Sequence, residues 1–215
     1  MSRQTQAPSD ALAHLTAQAE MLPEPYLVTG PQAAYLYHRW LSPMTKIINI
    51  RILKEDVSTW QRILNSPWLV FSQAPTLTQV HRATRVAILE PYLTETLWSR
   101  RVIHQGLAFI SPEDLCLHFL RTATTQTRLS ELSALLIKQK ERLDWQYLFD
   151  QAGRSWLLDR LMTVMQTIND EAGRTLFALD MPILITKQHN YVDLKPTSLI
   201  PILRPLRAQW RLSHV

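Results

Sequence analysis

The chain is nearly devoid of cysteine and poor in glycine. A single thiol, Cys116, in 215 residues excludes an intramolecular disulfide framework and any zinc site built on paired cysteines, and it suits a reducing compartment. Four glycines, at positions 30, 106, 153 and 173, leave no stretch in which a P-loop or a dinucleotide fingerprint can be written. Nowhere do about 18 apolar residues follow one another. The segment from Met1 to Glu20 carries Arg3, Asp10 and Glu20 in place of a signal-peptide core. These absences point to a cytoplasmic protein without a membrane span. Seven histidines are scattered at 14, 38, 81, 104, 118, 189 and 214 without a His-x-x-x-His pair, so no metal site is expected. No Gly-x-Ser-x-Gly elbow occurs, and Ser42, Ser66 and Ser111 each precede a proline, where a turn or cap role suffices. Cys116 falls on an apolar helix face and reads as a packing group rather than a nucleophile.

What is present is a globular composition, 46% apolar and 19% charged, with enough chain to bury a real core. The formal charge is +5, from 23 Lys and Arg against 18 Asp and Glu. Nearly all of that excess lies in residues 183–215, where Lys187, Lys195, Arg204, Arg207 and Arg211 face Asp193 alone. Such a segment can follow a phosphate backbone or an acidic protein face. Trp210, flanked by Arg207 and Arg211, can stack on a base or enter a partner's pocket. The other tryptophans, Trp60 and Trp145 among them, read mainly as core.

Hydrophobic period divides the chain. Residues 9–20 read as a short amphipathic helix ended by Pro23 and Pro25. Tyr26 to Thr29 is extended, and Gly30-Pro31 turns it into a helix carrying Ala33, Ala34, Leu36 and Tyr37. Lys46 to Leu53 is rich in β-branched residues; Ile48, Ile50 and Ile52 alternate with Ile47, Asn49 and Arg51, the pattern of a central strand. A helix over 55–65, a strand over 68–71, a loop over 73–83 and a strand over 85–89 follow. Residues 94–105 are expected to be helical up to Gly106, with a brief strand over 107–110 beyond. Ser111-Pro112-Glu113-Asp114 then combines an N-cap, a first-turn proline and two carboxylates near the positive helix end. Four amphipathic helices follow it. The reading is an α+β protein organised as residues 1–25, an N-terminal helix and linker; 26–110, an α/β lobe; 111–179, a helical lobe; and 180–215, a basic Pro-punctuated tail.

The stretch Val28-Thr29-Gly30-Pro31-Gln32-Ala33-Ala34 through His38, then Met44 to Ile50, then Gly106 to Leu115 with its Ser-Pro-Glu-Asp junction, resembles the minimal nucleotidyltransferase fold. That is the group found in abortive-infection and type IV toxin–antitoxin systems. The resemblance implies a mixed sheet with flanking helices followed by a helical lobe. It also implies a nucleotide-facing turn at Thr29, Gly30 and Lys46, and three carboxylates that hold two magnesium ions. The first-strand positions that should be Asp are Ile47 and Asn49, and the third is Ala87; none is a carboxylate. Pro31 stands where the family presents a backbone N–H to phosphate, and proline has none to give. Glu90, three residues beyond Ala87, falls on the opposite strand face and is read as a poor substitute. Glu55 and Asp56 suit first-turn dipole partners, and His38 suits packing.

The expectation is therefore a catalytically inactive nucleotidyltransferase-like protein without a cofactor. By the same resemblance it would serve as a binding or antitoxin-like component with a protein partner. Two alternatives stay open: a nucleic-acid-binding module using the basic tail, and an active nucleotidyltransferase with displaced carboxylates.

Overall fold

The computed structural model describes residues 10–39, 46–64, 68–72, 85–122, 126–153 and 156–177. Among them are eight α-helices and one six-stranded mixed sheet: α1 (Asp10–Ala17), β1 (Tyr26–Thr29), α2 (Gly30–His38), β2 (Ile47–Ile52), α3 (Val57–Ile63), β3 (Trp68–Phe71), β4 (Arg85–Glu90), α4 (Glu95–Ser99), β5 (Val102–His104), β6 (Leu107–Phe109), α5 (Pro112–Thr122), α6 (Gln126–Gln139), α7 (Trp145–Ala152) and α8 (Trp156–Ala172). The architecture is α+β. The chain divides into two compact units, Met1–Leu115 and Cys116–Val215, the division falling within α5.

In the first unit the strand order is β3-β4-β2-β1-β6-β5. β1 runs antiparallel to β2 and parallel to β6, β2 and β3 run parallel to β4, and β5 is antiparallel to β6. The alternation in β2 sets two faces. Ile48, Ile50 and Ile52 are buried, while Ile47, Asn49 and Arg51 are half-buried. Register carries the pattern across the sheet: Val28 and Leu89 flank Ile50, and Ala87 flanks Ile48, so the apolar face is continuous over three strands. Trp60 of α3 seals it, fully buried with its ring edge-on to Tyr26 at 5.3 Å. Asp10 of α1 pairs with Arg85 at 3.0 Å, and His14 lies against Trp68.

The expected helix over 94–105 is corrected. Only Glu95–Ser99 is helical, capped by the Thr94 hydroxyl, which accepts from the Leu97 N–H. The chain then reverses as a hairpin between β5 and β6. Gln105 (φ 51°) and Gly106 (φ 76°) both take the left-handed conformation that a two-residue hairpin turn needs. Val102 and Ile103, β-branched, serve the strand better than the helix. The Ser111 cap forms as expected: its hydroxyl accepts from the Asp114 N–H at 3.1 Å and donates to the Asp114 carboxylate at 2.8 Å. Cys116 is fully buried.

The second unit is helical throughout its described part. α6 is buried on every side from Leu129 to Leu136, Glu131 and Ser133 included. α8 ends before Gly173, whose φ of 63° is the left-handed stop of a helix. The chain beyond is held by one side chain. The Asn169 amide oxygen accepts from the Leu176 and Phe177 N–H groups at 2.7 and 2.9 Å, and its NH₂ donates to the Phe177 carbonyl at 2.8 Å. Phe177 is buried, edge-on to Trp145 at 5.7 Å.

Candidate functional site

The half-buried face of the sheet gathers four polar side chains from three strands. Thr29 ends β1, Asn49 and Arg51 alternate along β2, and Glu90 ends β4. Thr29 is opposite Asn49, and Arg51 is opposite Glu90. Glu90 is the acceptor at the centre. The Asn49 amide donates to its Oε1 at 3.1 Å, while the Thr29 hydroxyl at 3.3 Å and the Arg51 guanidinium at 3.2 Å both donate to Oε2. The Arg51 and Glu90 side chains are 12% and 18% exposed, enough desolvation to make a charge-assisted pair matter.

The turn beside this cluster is built for proximity. Gly30 opens α2 with φ 63°, and a Cβ there would meet the Asn49 Oδ1 at 3.0 Å. Glycine is thus required twice, by its dihedral and by the side chain lying over it. Thr29 is the residue before α2, in extended conformation, but its hydroxyl goes to Glu90 and makes no cap hydrogen bond. Pro31 fits the first turn, where a backbone donor is dispensable. Lys46 precedes β2, and its carbonyl accepts from the Val86 N–H at 2.7 Å.

Of the positions singled out in sequence, Thr29, Gly30 and Asn49 come together and Ile47 shares their face. Ala87 does not. It pairs with Ile48 and is fully buried on the apolar side, so it cannot stand for a carboxylate facing Asn49. Glu90 does face that way, because Arg51 is its register partner. The side chain that sequence reasoning turned away from this face is therefore Glu90, which joins Asn49 and Arg51 there. The available signal was the period-two series Ile47, Asn49, Arg51, read across to the end of the neighbouring strand. Lys187, Lys195, Arg204, Arg207, Trp210 and Arg211 lie outside the described residues.

A second polar group sits at the start of α5. Arg100 reaches Glu113 at 3.2 Å and Asp114 at 3.6 Å, both carboxylates being nearly buried. The Tyr37 hydroxyl donates to the Ile110 carbonyl at 2.6 Å. Burial, with Glu113 and Asp114 nearby, pushes the Tyr37 phenol far above its ordinary value. His38, 2% exposed, is held neutral by burial, its pKa lowered to about 4. Arg100 and Tyr37 thus surround the N-terminus of α5.

The polar face does not suit a divalent cation. A hard ion needs several oxygen ligands with negative charge. Here one carboxylate is already shared among three donors, one of them a guanidinium. Among the described residues no cluster of three His, Cys, Asp or Glu side chains occurs, and no helix is long and apolar enough to cross a membrane. No family model matches the chain, and neither a curated protein nor a solved structure matches it.

Proposed function

We propose that this is a catalytically inactive nucleotidyltransferase-like protein, retained as a binding or antitoxin-like regulatory component of a prokaryotic toxin–antitoxin or phage-defence system. Support begins with the order of parts: a strand, a glycine turn into a helix, an antiparallel neighbour and a strand parallel to that neighbour, with Ser-Pro-Glu-Asp opening the helical part. The observation that carries the loss of catalysis is the Arg51–Glu90 pair. Two-metal transfer requires carboxylates free to bind cations. In this chain the guanidinium lies on the Glu90 carboxylate, and Asn49 offers a neutral amide beside it.

The experiment is incubation of the protein with magnesium and each labelled nucleoside triphosphate, alone and with host extract. No magnesium-dependent incorporation into protein or RNA is expected. Incorporation that disappears in Glu90→Gln would overturn the reading and identify Glu90 as the displaced ligand. Partner binding is tested by affinity purification from the host with and without nuclease, and a protein retained in both preparations is the expected result.

The charge distribution favours a second reading, binding of nucleic acid through residues 183–215. Its mark is an affinity that falls steeply with salt, by up to about 0.7–0.9 logarithmic units per phosphate contact for each logarithmic unit of salt. It fails if affinity is indifferent to salt.

A further inference from the structure

We draw no further inference here: the strongest candidate, the apolar groove beside Trp145, Phe149 and Phe177 in the helical unit, has charges of both signs in the turn next to it, Lys140 and Arg142 with Glu141 and Asp144, and nothing in the structure shows what covers it.

Discussion

The two units treat a carboxylate drawn out of water in opposite ways. In the sheet unit Glu90 is surrounded by donors, Thr29, Asn49 and Arg51, each from a defined place on the strands. In the helical unit Glu131 lies on a helix buried all round, and burial pushes its carboxyl up to about 7 despite the opposing pull of Arg128. The first is compensated by geometry, the second by taking up a proton. A strand ladder places side chains of distant residues in fixed register, so a network can be assembled from three strands; a helix enclosed on every side offers fewer such directed partners.

The largest test of this contrast is to remove the core of one unit only. Trp60→Ala should cost about 3–5 kcal/mol, read by urea unfolding, with amide exchange accelerating most in the strands. An equal rise in α6 and α8 would mean that the two units share one cooperative transition.

Titration should separate the units with signs of their own. His38 is neutral when folded, with a pKa of about 4 against 6.5 in an unfolded chain. Its contribution is intact above pH 6.5 and is lost as pH falls toward 4. Glu131 is the reverse: the folded state keeps the proton until about pH 7 and the unfolded state releases it near 4.5. Its contribution is intact below pH 4.5 and is lost as pH rises through 7. Each is worth about 3 kcal/mol at the limits. Glu131→Gln should therefore stabilise the protein at pH 8 and leave it unchanged at pH 4, while His38→Phe flattens the acid limb. Equilibrium unfolding across the range checks both, and identical limbs in the variants would refute the assignment.

A double-mutant cycle on Arg51 and Glu90 comes next. Glu90→Ala alone strands a guanidinium and should cost about 2–3 kcal/mol, and Arg51→Met a similar amount. The double variant should cost clearly less than their sum. Additive losses would show that the pair is held apart by solvent. The smallest effect is Ser111→Ala, about 1 kcal/mol from the α5 cap, visible as faster exchange in the first turn of that helix.

Much of this arrangement is written locally. The alternation of Ile48, Ile50 and Ile52 with Asn49 and Arg51 marks β2 and both of its faces, and Ser111-Pro112-Glu113-Asp114 marks the α5 cap. The β5–β6 turn was illegible because Gln105, at positive φ, carries none of the usual turn signature, and Gly106 reads equally as the stop of a helix. Glu90 was misjudged for a different reason. Its face was reckoned from Ala87, whereas what matters is its register against β2, and that is set by pairing between segments far apart in the chain. Trp145 was expected in the core but is half-buried, since periodicity identifies an apolar face without saying whether neighbouring chain closes over it.

The Arg51–Glu90 pair also bears on descent. A single change at Arg51 leaves a carboxylate with its cation gone, and a single change at Glu90 leaves a half-buried guanidinium with its principal anion gone, so each first step is penalised until the second is taken. The two positions should therefore be inherited together and lost together.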